Sequence, residues 1–162
     1  MPTTQKVERK WLAHFIDASF NGTSVNYVRL GKDLEEYNEE LNPDVEIRKN
    51  ILGEQSVNVN GYEVSSTVEP FYAYYDDPLF DKLCEIANNR STGEACLTTK
   101  VEVLFNADGT VKWAYREDCY VVPNAIGGDT SGVQIPFTVN NAGNRVAGTW
   151  DTSNNTFTPT AA

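Results

Sequence analysis

Residues 66–90, STVEPFYAYYDDPLFDKLCEIANNR, hold the one convincing helix signal in this chain and the strand that leads into it. Thr67, Val68, Phe71, Tyr72, Tyr74 and Tyr75 are residue types that fill strands, and the run stops at Asp76-Asp77-Pro78. Asp77 is a good N-cap. Pro78 suits the first helical position, because its missing N–H would have no partner there. From there Leu79, Leu83 and Ile86 repeat at helical spacing beside Phe80, Cys84 and Ala87, with Asp81, Lys82 and Glu85 on the other side. The spacing predicts a helix over 78–88 whose stripe of Leu79, Leu83 and Ile86 covers a core. Arg90, in or just beyond the last turn, would complement the helix dipole, and Asn88, Asn89 and Gly93 offer stop signals. No other stretch competes as a helix, so the remainder must be β-structure that this helix covers.

Toward the C-terminus, Leu97, Thr99, Val101, Val103 and Phe105 alternate with polar residues, and Asn106-Ala107-Asp108-Gly109 turns the chain. Val111 to Val121 reads as a long partner strand, and Gly127-Gly128-Asp129 as a flexible joint. Val133 to Val139 reads as another strand, Asn140 to Gly143 as a turn, and Val146 to Trp150 as the last clear strand. The tail, 152–162, is polar and Pro-containing, and is expected to be frayed or docked on another chain. Toward the N-terminus, residues 1–10 form a polar arm. Residues 11–20 alternate, Asn21-Gly22 signals a turn, and Val25 to Leu30 reads as the returning strand. Many short strands and one helix predict a mainly β fold, an antiparallel barrel or sandwich, in one domain spanning 1–162.

Between these strands the composition changes. Asp33, Glu35, Glu36, Glu39, Glu40, Asp44 and Glu46 occur without an intervening Lys or Arg. By itself such a run is an ordinary solvated face; a sharper reading is a surface that repels a polyanion. From 42 to 58 the chain is too weakly apolar for a core and too patterned for a linker. A long projecting hairpin or loop is expected there, with Pro43, Val45, Ile47, Ile51 and Leu52 as its contact residues.

The 162 residues carry a net charge of −10, which argues against a basic nucleic-acid-binding face, since phosphate affinity needs Lys and Arg. No apolar run approaches membrane-spanning length, and residues 1–10 lack the apolar centre of a signal peptide, so folding in a cytoplasm without export is expected. Cys84, Cys96 and Cys119 are odd in number and widely spaced, which fits neither a disulfide framework nor a metal clasp.

Motifs for chemistry are weak. His14 is the single histidine and lies within a strand, where it reads as a half-buried residue; no Ser-His-Asp or Cys-His pair and no nucleophile elbow is visible. The 106–109 turn fails as a calcium loop, because Leu104 and Tyr115 stand where carboxylates are needed. Asp129-Thr130-Ser131-Gly132 has one residue too many for an aspartic-protease triplet, and no helix follows Gly127-Gly128 to bind phosphate. We therefore expect no enzyme activity, no cofactor and no metal site.

Tyr27-Val28-Arg29-Leu30-Gly31-Lys32-Asp33, followed by Tyr37-Asn38 and Asn42-Pro43, resembles the N-terminal half of the tail tube proteins (major tail proteins) of long-tailed bacteriophages. The stretch Gln134-Ile135-Pro136-Phe137-Thr138, and then Gly143-Asn144-Arg145-Val146-Ala147-Gly148-Thr149-Trp150-Asp151, resembles that family's final hairpin. The Asp-Asp-Pro helix sits where the family's single helix would, so the resemblance runs over 11–151.

It implies a β-barrel or sandwich that self-assembles into rings, commonly hexamers, stacked as a hollow conduit for DNA ejection. Related folds serve contractile tails and type VI secretion tubes. The implied partners are further copies of the chain and the tape measure, tail terminator and tail tip proteins. Genomic DNA would pass without specific binding, no membrane would be involved, and the place would be the virion tail, assembled in the host bacterial cytoplasm. Asp33, Glu35, Glu36, Glu39 and Glu40 are then candidates for an acidic lumen, and the 42–58 loop for contact between rings. Trp11, Trp113, Trp150 and the eight tyrosines keep open a monomeric carbohydrate-binding sandwich. A β-fold hydrolase would need a cleft with a perturbed carboxylate.

Overall fold

The computed structural model describes residues 5–20, 22 and 24–160. Strands β1 (Leu12–Asp17), β2 (Tyr27–Leu30), β3 (Glu39–Glu40), β4 (Pro43–Lys49), β5 (Gln55–Tyr62) and β6 (Ser65–Val68) precede the helix α1 (Pro78–Asn89). After it come β7 (Leu97–Phe105), β8 (Val111–Pro123), β9 (Gly127–Asp129), β10 (Gly132–Gln134), β11 (Phe137–Asp151) and β12 (Thr156–Pro159). Eight strands form one antiparallel sheet in the order β2-β1-β7-β8-β11-β6-β3, with β12 added on β11, and the sheet curls into a half-barrel. The β4–β5 and β9–β10 pairs form separate two-stranded sheets. The expected turn at Asn21 lies outside the described residues.

The helix starts as its sequence dictates. The Asp77 side chain accepts the Leu79 N–H at 3.0 Å, and Pro78 occupies the first turn. Leu79 and Leu83 are fully buried and Ile86 nearly so, each worth about 1.5–3 kcal/mol on the usual scale of side-chain burial. Leu79 and Leu83 pack with Ile16, Val68, Phe71, Cys119, Val121, Ile135, Phe137 and Val139 into the larger core. A smaller core on the other face joins Ala13, Phe15, Tyr27, Val101, Val103, Ala114 and Trp150. Strand β1 thus buries both of its faces, which explains why its two alternating sets are both largely apolar.

Several sequence expectations need correction. The aromatic run after Val68 is not strand: Pro70 has no N–H for the ladder, and β6 ends two residues before it. Phe71 and Ala73 still bond to Ile135 and Val133, and Tyr72 forms a single bridge to Gln134. The helix stop is Arg90 itself, in the left-handed conformation (φ 51°), so it caps through its backbone rather than by facing the dipole from the last turn. Gly127–Asp129 is one arm of a short hairpin rather than a flexible joint, and a side chain on Gly128 (φ 135°) would strike the Gly132 carbonyl at 2.1 Å.

The C-terminal half holds the largest differences. Residues 137–151 make one bent strand of fifteen residues instead of two strands and a turn, and the expected turn appears as register shifts around Gly143. Over Thr156–Pro159 the tail is not frayed but pairs back on β11. That pairing requires Gly148, where an added Cβ would meet the Thr158 carbonyl at 2.3 Å and the Phe157 ring at 2.4 Å.

Candidate functional site

Strands β4 and β5 hydrogen-bond to each other along their whole length and leave the half-barrel sheet. The turn that joins them is built by Asn50, whose N–H donates to the Glu54 carbonyl at 3.0 Å and whose side-chain oxygen accepts from Leu52 and Glu54. Gly53 supplies the positive φ of 82° that this turn needs. At the base, the Asn42 side chain donates to the Glu63 carbonyl at 2.9 Å, which closes the exit of the hairpin against its entry.

Alternation puts Val45 opposite Val59 and Ile47 opposite Val57, so four β-branched side chains share one face. They remain 47–60% exposed, and Ile51 and Leu52 at the tip are 102% and 76% exposed. Of the contact residues expected from sequence, Val45, Ile47, Ile51 and Leu52 belong to this stripe and tip, and Pro43 begins β4. Sequence reading had not distinguished Val57 and Val59, which register alone assigns to the same face. These six apolar side chains stand together on one hairpin, largely exposed.

The five acids considered for a lumen separate into two groups. Glu35, Glu36 and Glu40 are exposed. Asp33 accepts a hydrogen bond from the Tyr74 hydroxyl, which pushes Tyr74 above its ordinary value. Glu39 lies at 2.9 Å from the ammonium of Lys100 and at 4.0 Å from Arg145. It is tied into the subunit and is not a free surface charge.

Glu39 opens onto an arrangement that the sequence had not suggested. Lys100 is 2% exposed, and beyond Glu39 it reaches Glu102 at 3.4 Å. Arg145 reaches Glu117 at 3.2 Å. Glu102 contacts Nδ1 of His14, which is 6% exposed and therefore buried rather than half-buried. On the other ring nitrogen, Arg9 approaches Nε2 at 2.8 Å while also donating to the Tyr37 carbonyl at 3.1 Å. The Tyr37 ring packs on the imidazole at 4.3 Å, and burial, reinforced by the Glu102 charge, pushes its hydroxyl far up, so it stays neutral. The cross-strand pairs His14–Glu102 and Lys100–Glu117 were the available signal, hidden because strand pairing is not visible from one strand alone.

Among the described residues, no cluster of His, Cys, Asp and Glu is placed to hold a metal ion, and no helix is long and apolar enough to cross a membrane. Burial pushes the Cys119 thiol up to about 12 and raises Cys84 and Cys96 as well, the reverse of what a reactive cysteine needs.

No protein-family model and no curated protein matches the sequence. Solved structures do share the fold. One is the tube-terminating cap of the anti-feeding prophage, with TM-score 0.54 and 10% identity over 92% of this chain and 95% of that one. Another is the sheath/tube terminator of the extracellular contractile injection system PVC in its extended state. It gives TM-score 0.55 and 8% identity over 90% of this chain and 99% of that one. At such identities the likeness is one of fold.

Proposed function

We propose that this chain is a structural subunit of a bacteriophage-type tail tube, closing into rings that stack through the β4–β5 hairpin. The observation that carries the proposal is the hairpin itself. Its two strands pair only with each other, and it holds Val45, Ile47, Val57 and Val59 on one face and Ile51 and Leu52 at its tip, all largely exposed. Burying such residues against another copy stabilises association by about 1.5–3 kcal/mol each at most. A projecting element that contacts a different patch on a copy in the next ring makes a heterologous interface, which does not close on itself and so repeats as an open-ended stack.

Two further lines support the reading: the resemblance of 27–43 and 134–151 to major tail proteins, and the fold shared with two tube terminators. The subunit's job is structural, without enzymatic chemistry or a cofactor. Its place is the virion tail, assembled in the host cytoplasm as a ring, taken as a hexamer, with tape measure, terminator and tip proteins as partners. DNA passes through during ejection. Of the five candidate acids, Glu35, Glu36 and Glu40 are exposed and stand outside the buried ion-pair network, and they are assigned to the bore, where a negative wall keeps DNA from adhering. Repulsion reaches only about 8 Å at physiological salt, which suits a wall close to the duplex.

The two fold neighbours terminate tubes, which favours a second reading, a ring that ends a tube rather than repeating along it. Electron microscopy of the purified chain at rising concentration separates the two. Open-ended tubes establish the first reading, and discrete rings that do not stack establish the second. Monomers at every salt and protein concentration would overturn both, and sugar binding by such monomers would establish the carbohydrate-binding alternative.

A further inference from the structure

We propose that His14 and Arg9 form an acid-operated latch that holds the N-terminal segment on the sheet and releases it when the imidazole takes up a proton. This inference concerns the subunit alone and stands whether or not the chain builds a tube.

Arginine has only donors, so the Arg9 group at 2.8 Å from Nε2 requires a lone pair there. The single ring proton is therefore on Nδ1, where it is donated to the Glu102 carboxylate. Charge balance agrees. The connected cluster holds Arg9, Lys100 and Arg145 against Glu39, Glu102 and Glu117, and it is neutral only if His14 is neutral.

The groups facing the ring come from each neighbouring element. Arg9 lies in the turn Arg9–Trp11, Glu102 and behind it Lys100 on β7, Tyr37 in the loop before β3, and Leu30 is the cross-strand neighbour on β2. A second ring proton finds Glu102 already holding the opposite charge on one side. On the other side it sets an N–H and a positive charge against the guanidinium. Arg9 is the member free to leave, because it belongs to an exposed turn whereas β1 and β7 are central strands.

Arg9 is also the main tie of its segment. One guanidinium nitrogen reaches the Leu12 carbonyl at 2.8 Å, and the other reaches His14 and the Tyr37 carbonyl. Among the described residues the segment's other ties include the Arg29 bond to the Lys10 carbonyl at 3.0 Å, a Trp11–Phe105 ring contact at 6.5 Å, the Lys10–Glu8 ion pair at 3.3 Å, and the local bonds of the Trp11 N–H to Glu8 and of the Leu12 N–H to Arg9. Val7 is 66% exposed and lines a cleft with Trp11, Leu104 and Phe105. Losing the Arg9 bonds should therefore free residues 5–11 as a unit while the sheet stays folded.

The test is hydrogen exchange over residues 5–12 of the full chain at pH 7.5 and 5.5, corrected for intrinsic rates. In the native protein, protection of the Trp11 amide should fall about tenfold at the lower pH, the scale of one charge-assisted bond. Arg9→Gln should show the low protection at both pH values, and His14→Gln, which does not titrate, should show no pH effect. Unchanged protection in the native protein, or a pH effect that survives in His14→Gln, overturns the latch. If His14→Gln does not fold, nitrogen NMR of the native protein decides, since the chain has one histidine. A neutral Nδ1–H ring at pH 7.5, titrating in step with release, is the expected result. An Nε2–H ring, or release out of step with titration, overturns the proposal.

Discussion

The hairpins β4–β5 and β7–β8 are built on the same local plan and end in opposite surroundings. In each, an asparagine begins the turn: Asn50 N–H donates to the Glu54 carbonyl at 3.0 Å, and Asn106 N–H to the Thr110 carbonyl at 2.7 Å. In each, a glycine three residues on returns a bond to that asparagine, with φ of 82° at Gly53 and 91° at Gly109. Both alternate β-branched residues with polar ones. Yet Val101 and Val103 are wholly buried between β1 and β8, whereas Val45 and Ile47 stand in water. Turn chemistry and alternation make a hairpin; the neighbours decide whether its apolar face is core or contact surface. In the assembly proposed above, the neighbour that this face lacks is another copy of the chain.

The largest effect should come from putting a charge into the buried hairpin. Val103→Asp would strand a carboxylate in the smaller core, and Leu83→Asp would do so in the larger. Each should cost more than about 4 kcal/mol and leave no cooperative thermal transition by circular dichroism. A soluble Val103→Asp subunit with an unchanged melt would mean that the β7–β8 face is not the core it is taken for here.

Next comes Lys100→Met, also within β7. Removing the ammonium leaves Glu39 and Glu102 near one another with only Arg145 at 4.0 Å and the His14 ring to offset them, and breaking a buried pair in this way typically costs about 3–5 kcal/mol. Urea denaturation measures it. Adding Glu102→Gln should restore part of the loss, because the two residues share one network. Strict additivity would show that the charges do not act together.

The helix and the broad β architecture were legible because they are local: a cap, a proline and a stripe fix α1, and alternation with Asn-Gly-type turns fixes the hairpins. What escaped depends on pairing at a distance. Residues 137–151 looked like two strands because the Asn-Ala-Gly-Asn segment is turn-like by composition, but β8 carries the chain through it as bulges. The tail looked unstructured because Thr and Asn are weak signals, and its strand exists only where Gly148 lets it approach β11. His14 looked bland because Glu102 is 88 residues away in sequence. For the hairpin, sequence located the interval and most of its apolar residues; the shared face of Val57 and Val59 needed the register.

A smaller effect, again inside β8, concerns Cys119. Burial raises its thiol to about 12 against 9.0 for the free group. A pKa raised on folding stabilises the native state below the unfolded value, and that contribution is lost as pH climbs from about 9 toward 12. Cys119→Ala should therefore flatten the fall in stability over that window, seen in chemical denaturation at stepped pH. At pH 8, alkylation should modify partly exposed Cys84 before Cys119, which should react only through unfolding. Equal rates at the two thiols in the native state would contradict the burial of β8.

The smallest effect on the subunit should come from Ile47→Asp, the counterpart of Val103→Asp on the exposed hairpin. Ile47 is 60% exposed, so its carboxylate stays hydrated and the ladder to Val57 is untouched. Stability of the free subunit should change by no more than about 0.5 kcal/mol, the usual range for surface substitutions. Assembly should respond differently, because in the ring or tube that same face is covered and a carboxylate there would be buried without a partner. Sedimentation should show an intact monomer that no longer grows into larger species. Hydrogen exchange adds an independent readout. In the free subunit the β4–β5 amides, lacking packed neighbours, should exchange well before those of β7–β8, and in the assembly their protection should rise. Equal protection of β4–β5 in subunit and assembly, or an Ile47→Asp subunit that melts as badly as Val103→Asp, would show that the exposed hairpin serves the fold of its own chain rather than contact with another.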